Sequence, residues 1–255
     1  MAKSLEFRNL PLVEAVVRVY FANRIRVDFG LVSELHTKIH SEFPNVIPLS
    51  VWELTPALQQ ETQLPIPRGD LPGAEYTGGQ HGLSVHLQPQ LIAVRWRRGI
   101  TEHSPEYPRF QKLRRFLESC LRTLRDSSSV QQIQLALTNM TYVNFIRVED
   151  PRPYLKEEYS TRATLTAKTL QEQVVAWQAQ NDIDLRFEVR GAERSLGPQK
   201  EAGYLVTTAA GRRLEPSDDP LAFLDAVHGE LQVLFADLVS ERAKSEWGLH
   251  NDNSK

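Results

Sequence analysis

Short stretches of this chain alternate apolar and polar residues, and on each the polar side carries charge, amide or hydroxyl groups. Val13, Ala15, Val17, Val19 and Phe21 fall on one side of the first, with Glu14, Arg18 and Tyr20 on the other. Leu83, Val85 and Leu87 oppose Ser84, His86 and Gln88, and Ile92, Val94 and Trp96 oppose Arg95 and Arg97. Ile183, Leu185, Phe187 and Val189 oppose Asp184, Arg186, Glu188 and Arg190. A strand turns successive side chains to opposite faces, so each stretch buries one face and wets the other. Strands of this kind build antiparallel sheets with helices on one side. The predicted class is α+β, a mainly antiparallel sheet with long helices on one face. Such a fold leaves a broad polar sheet face, and that face is the first candidate for binding.

Between these stretches the pattern changes period. A helix is predicted from about Asp28 to Phe43, with Leu31, Leu35, Ile39 and Phe43 on one side, and Pro44 ends it. Val46 to Leu54 reads as a strand, and the proline- and glycine-rich run from Thr55 to Gly82 reads as one long loop. Leu83–Gln88 and Leu91–Arg98 form a hairpin around Pro89-Gln90. A helix follows from Pro105 to Arg125, with Phe110, Leu113, Leu117, Cys120, Leu121 and Leu124 inward. Gln131 to Val148 is too long for a flat strand, so a bend or bulge is expected near Asn139. Leu165 to Gln180 is predicted helical, and Ile183–Arg190 pairs with Tyr204–Ala209 across a loop holding Gly191 and Gly203. The last helix runs from its cap Asp219 and Pro220 to about Trp247, with Phe223, Val227, Leu231, Leu234 and Leu238 inward. Residues 248–255 read as a flexible tail. Residues 1–128 and 129–247 each run strand, helix-bearing insert, hairpin and long helix, which suggests a single domain of two similar halves.

Composition narrows the function classes. The 255 residues carry 30 basic and 32 acidic side chains, and this near balance argues against a dedicated nucleic-acid or membrane-surface protein. The single cysteine, Cys120, excludes an internal disulfide and fits a reducing cytosol. The start Met1-Ala2-Lys3-Ser4-Leu5-Glu6 meets charge at once, unlike a signal peptide, so a cytoplasmic protein is expected. No apolar run approaches the roughly 20 residues a bilayer needs.

Candidate chemistry is sparse. His36 and His40 have the spacing of metal ligands on a helix, but no third ligand arrives in a motif, so no metal is assigned. Gly78-Gly79 lacks the lysine and spacing of a phosphate loop, no serine sits in a nucleophile elbow, and no cofactor is implied. Glu14 and Arg18 share the polar side of the first strand. If His86, Arg95 and Arg97 lie on neighbouring strands, a charged groove results; otherwise these groups form a solvated, mutually paired face. The strip from Arg95 to Arg125 has nine basic against three acidic side chains, including Arg109, Lys112, Arg114, Arg115, Arg122 and Arg125. A basic helix face can hold phosphate backbone, although aromatic interleaving here is thin.

Several segments together carry a resemblance. Leu10-Pro11-Leu12-Val13-Glu14-Ala15-Val16, Val94-Arg95-Trp96, Tyr142-Val143-Asn144-Phe145-Ile146, and a last helix with His228, Phe235 and Trp247 occur in this order. The ordered set resembles a sporadically distributed prokaryotic family of about 260 residues that has no established activity. Its patchy distribution implies horizontal transfer and suits mobile-element, toxin–antitoxin or defence loci. The resemblance singles out Glu14, Asn144 and His228 as matched polar positions, each expected to be buried and hydrogen-bonded.

The leading expectation is a non-enzymatic binding module acting through its polar sheet face or long loop. Its partner is expected to be another protein, encoded nearby, or a second copy of the chain. A nucleic-acid-associated protein using the basic strip is the runner-up. An enzyme with Glu14 and His228 in one pocket comes third.

Overall fold

Strand β2 (Leu12–Phe21) lies in the middle of the molecule because both of its edges are paired. The computed structural model describes residues 6–7, 11–49, 70–78, 82–98, 106–128, 130, 132–148, 152–157, 173–178, 182–196 and 199–250. In chain order, β1 (Glu6–Phe7) precedes β2, and helix α1 (Phe29–Ile39) follows it. Strands β3 (Asn45–Pro48), β4 (Ala74–Thr77), β5 (Leu83–Gln88) and β6 (Leu91–Arg97) lead to helix α2 (Phe110–Asp126). Then come β7 (Leu135–Ile146), β8 (Gln173–Gln178), β9 (Ile183–Leu196) and β10 (Gln199–Arg213). Helices α3 (Pro220–Leu238) and α4 (Glu241–Glu246) and strand β11 (Leu249–His250) close the chain.

Nine of the described strands form one sheet in the order β3-β4-β5-β6-β2-β7-β10-β9-β8, with every neighbouring pair antiparallel. Outward from the central β2–β7 pair, the sequence β2-β6-β5-β4 mirrors β7-β10-β9-β8. The inward positions of β2, β4, β5, β6, β7, β9 and β10 and the buried faces of α1, α2 and α3 merge in one apolar cluster. Helix α2 packs on β6 and β2, α3 packs on β7 and β10, and α1 packs on α2. No described helix is long and apolar enough to cross a membrane. The separate β1–β11 pair ties the two chain ends together, so the expected loose tail opens with a strand after Gly248.

Local chemistry explains the boundaries. Asp28 caps α1, its carboxylate accepting from Leu31 N at 3.0 Å, and Asp219 caps α3 by accepting from Leu221 N at 3.0 Å. Helix α2 begins at Phe110 rather than Pro105, because Arg109 sits at φ 71° and breaks the helical path. The predicted last helix divides at Val239, which bridges to Leu155, and Ser240 restarts the chain as α4 by accepting from Ala243 N. Trp247 then stacks on Tyr154 and Phe235 at 5.8 and 5.9 Å, anchoring that end. Phe223 is half-buried rather than inward, with the Arg212 guanidinium 4.0 Å over its ring.

Further expectations need correction. The Thr55–Gly82 run is not one loop: β4 lies inside it, with Ala74 and Tyr76 fully buried at alternate positions, and residues 50–69 lie outside the described residues. The predicted helix at Leu165–Gln180 is instead strand β8 over Gln173–Gln178, paired to β9; residues 165–172 and 179–180 lie outside the described residues. The long strand carries no irregularity at Asn139. The register slips at Ala136, between the pairs Tyr20–Leu137 and Phe21–Leu135, and again at Val13 of β2. The extra residue at Val13 reverses the alternation, so Leu12 joins Ala15 and Val17 in the core while Val13 is only half-buried. Gly191 and Gly203 lie inside the β9–β10 hairpin rather than in a loop. A Cβ at Gly203 would stand 2.6 Å from Ile146 O, so glycine is what lets β10 approach β7 there.

Candidate functional site

The register places the polar positions of five strands side by side on the outer face, away from the core. His86, Ala93, Arg18, Asn139 and Gly211 form one row across β5, β6, β2, β7 and β10. Ser84, Arg95, Val16 and Thr141 form the next, and Arg97, Glu14 and Val143 the one beyond. Glu14, Arg18, His86, Arg95 and Arg97 are therefore neighbours, as the groove expectation required. Val16, Leu91 and Ala93 are buried among them and form a small cluster with Tyr20, separate from the main core.

Each charged group has a different environment. Glu14 accepts from Arg95 Nη2 at 2.8 Å, with Arg97 Nε 3.9 Å away. Arg95 Nε is buried without a partner, as is Gln88 Oε1. His86 lies 2.9 Å from Ser84 Oγ and 3.3 Å from Glu75 Oε1. Burial lowers its pKa, against the pull of Glu75, and Arg95 and Arg18 lower it further, so the ring is held neutral. Arg18 donates from Nη1 to Asn139 Oδ1 at 3.1 Å and to Thr141 Oγ1 at 2.9 Å. Both acceptors are neutral, and Arg18 makes no ion pair with any described residue. Asn139 is aimed by its other end, where Nδ2 donates to Ala210 O at 3.0 Å. Gly211 leaves room for that reach, since a Cβ there would stand 3.2 Å from Asn139 Nδ2. The guanidinium groups of Arg18, Arg95 and Arg97 thus face the carboxylates of Glu14 and Glu75, leaving one positive charge in excess.

Asn144 and His228 belong to the opposite face. Asn144 is 2% exposed and pairs in register with Leu12, and its Oδ1 has no partner, contrary to the expected hydrogen bond. His228 on α3 stacks on Phe110 with ring centres 3.9 Å apart and planes 5° apart. Burial lowers its pKa to about 4, against the opposing influence of Asp225. Trp96, Tyr107, Tyr142, His228 and Phe110 form a chain of ring contacts over this part of the core. The Tyr107 and Tyr142 hydroxyls lie 3.2 Å apart, and burial raises both phenol pKa values. Trp96 Nε1 and Thr208 Oγ1 are also buried without partners. Glu14 and His228 therefore do not share a pocket. Tyr107 and Thr208 were not singled out by sequence reasoning. Tyr142 could have been, because its spacing of two from Asn144 puts both on one side of a strand.

The basic strip does not form one surface. Arg95 and Arg97 stand on the outer sheet face, whereas α2 joins the core on the other side. On α2, Arg114 pairs with Asp225 at 2.8 Å and Glu118 at 3.5 Å, Arg122 pairs with Glu118 at 3.2 Å, and Lys112 lies 3.9 Å from Glu42. Arg115 Nε donates to Gln111 O at 3.4 Å, and Arg109 and Arg125 are exposed. His36 Nε2 lies 3.2 Å from the carbonyls of both Phe43 and Pro44, which fixes it at the end of α1. Among the described residues no cluster of three or more histidine, cysteine or acidic side chains could hold a metal ion. Burial pushes the Cys120 thiol up to about 12, leaving it unreactive.

No protein-family model matches the chain, and no curated protein is similar to it. A solved structure described as "KH domains" aligns with 90% of this chain and 63% of its own length at 7% identity. Its TM-score of 0.21 is too low for the alignment to carry an argument about fold or function.

Proposed function

We propose that this chain is a non-enzymatic binding module whose outer sheet face receives another protein. The observation that supports this most is the excess positive charge at the centre of that face, with Arg18 held by neutral acceptors alone. A half-buried guanidinium with no carboxylate in contact costs stability, and a fold that needed only a packed sheet would place an apolar residue there. The strands on both sides hold the surrounding side chains in fixed register, which suits recognition better than a mobile loop does. Glu14 and His228, separated by the sheet, offer no shared acid–base pair, and this moves the reading away from catalysis. On α2, Arg114 and Arg122 are occupied by acidic neighbours, and this moves it away from nucleic acid.

The test uses the products of adjacent genes, each expressed and passed over immobilised chain. Three baits are compared: wild type, the outer-face variant Arg97→Glu, and the α2 variant Arg122→Glu. A partner retained by wild type and Arg122→Glu but lost by Arg97→Glu supports the reading. A partner retained equally by all three, or retained by none, contradicts it.

A further inference from the structure

Arg18 has more donor capacity than the fold uses. Its Nη1 makes both of its hydrogen bonds, to Asn139 Oδ1 and Thr141 Oγ1. Its Nε and Nη2 bond to no described residue, and the side chain is half-buried. Two acceptors on one nitrogen fix the plane of the guanidinium, so the free Nε–Nη2 edge points in a set direction. That edge is the side of a guanidinium that matches both oxygens of a carboxylate. Glu14 is committed to Arg95, so it neutralises that neighbour and leaves Arg18 unpaired.

We propose that Arg18, oriented by Asn139, Thr141 and the space over Gly211, is a receptor for one carboxylate on an acidic side chain of the partner protein. The charge count selects the ligand class. Among Arg18, Arg95, Arg97, Glu14 and Glu75 there is one positive charge in excess, which a single carboxylate cancels. A phosphate dianion would overshoot that balance. The inference rests on the outer-face reading above and adds the chemistry of the group received.

The desolvation of Arg18 gives the proposal an unusual signature. A guanidinium kept for a partner lowers the stability of the free chain. A guanidinium that merely ties β2 to β7 raises it. The experiment measures binding of a capped hexaglutamate peptide, with capped hexaglutamine as control, to the full chain at constant ionic strength. Wild type should bind hexaglutamate and not hexaglutamine. Arg18→Met should weaken binding by about tenfold or more, the loss of a charge-assisted bidentate contact. The same variant should melt at a higher temperature than wild type. Arg18→Lys should also bind several-fold more weakly while melting close to wild type, because it keeps the charge and loses the fork. Acetate should compete better than inorganic phosphate at equal ionic strength.

Equal peptide binding by wild type and Arg18→Met would overturn the proposal, as would a lower melting temperature for Arg18→Met or stronger competition by phosphate. Failure of wild type to bind hexaglutamate would overturn it too. If the adjacent-gene partner were still lost by Arg97→Glu in that case, the outer-face reading would stand and only the carboxylate assignment would fall.

Discussion

His228 should make the stability of this protein fall in mild acid, by an amount set by its burial. The ring has a folded pKa of about 4 against 6.5 in the unfolded chain, because burial disfavours the imidazolium. The folded ring is therefore neutral above pH 4, while the unfolded ring gains its proton from about pH 6.5 downward. Between those values the unfolded state binds more protons, so stability rises with pH across the window. Above pH 6.5 the group contributes no pH dependence, and below pH 4 the full penalty of about 3 kcal/mol applies. At pH 4.5 the expected loss is about 2–3 kcal/mol relative to pH 7.5. His228→Phe removes the titrating group and keeps an aromatic ring against Phe110. The other ionisable groups around the site, Tyr142, Tyr107, Asp225 and Arg109, are unchanged in the variant. Urea unfolding of both proteins at pH 7.5 and pH 4.5 gives four free energies, and the difference of differences isolates His228. Wild type should lose about 2–3 kcal/mol more than His228→Phe. Equal losses would mean that the ring is already solvated in the folded chain, and that its stack on Phe110 does not exclude water.

Other consequences are simpler to measure. Thr208→Val removes a buried hydroxyl that has no partner, and should stabilise the fold by about 1 kcal/mol in urea unfolding; a loss of that size would show that the hydroxyl is bonded in solution. Gly203→Ala places a Cβ 2.6 Å from Ile146 O and 2.7 Å from Phe145 Cζ, and should destabilise by about 2 kcal/mol; unchanged unfolding would mean that β10 and β7 are not so close. The triple reversal Arg114→Glu, Arg115→Glu and Arg122→Glu should leave electrophoretic retention of duplex DNA or RNA at physiological salt unchanged and near zero. Tight wild-type binding that falls steeply with salt and is lost in the triple variant would restore the nucleic-acid reading.

The architecture was legible wherever burial was one-sided. In β5, β6 and β9 the alternation gave the right elements, and the helical spacing of Leu113, Leu117, Cys120, Leu121 and Leu124 gave α2 and its buried face. It failed where a local signal competed with tertiary pairing. Gln173–Gln178 has no charge to mark an open face, and becomes a strand because β9 offers it an edge. Prolines and glycines around β4 hid Ala74 and Tyr76, whose alternation spans only four residues. A bulge has no composition signature, so Val13 was given the wrong face, and the break at Val239 depends on a bridge to a residue far away in sequence. The outer face was legible as a list of polar residues on separate strands. Their adjacency needed the strand order, and the unpaired state of Arg18 needed distances. Matched motif order placed Glu14, Asn144 and His228 in one group, whereas the sheet divides them.

The most direct test of the central claim is the ¹⁵N–¹H resonance of the Arg18 Nε group, assigned by its loss in Arg18→Lys. In the free chain its hydrogen should exchange rapidly with water, since Nε bonds to no described residue. On saturation with capped hexaglutamate the resonance should shift downfield and its exchange should slow, as a bidentate bond to carboxylate requires. A resonance that is already slowly exchanging in the free chain, or one unmoved at saturation, would contradict the claim that Arg18 is held open for a partner's acid.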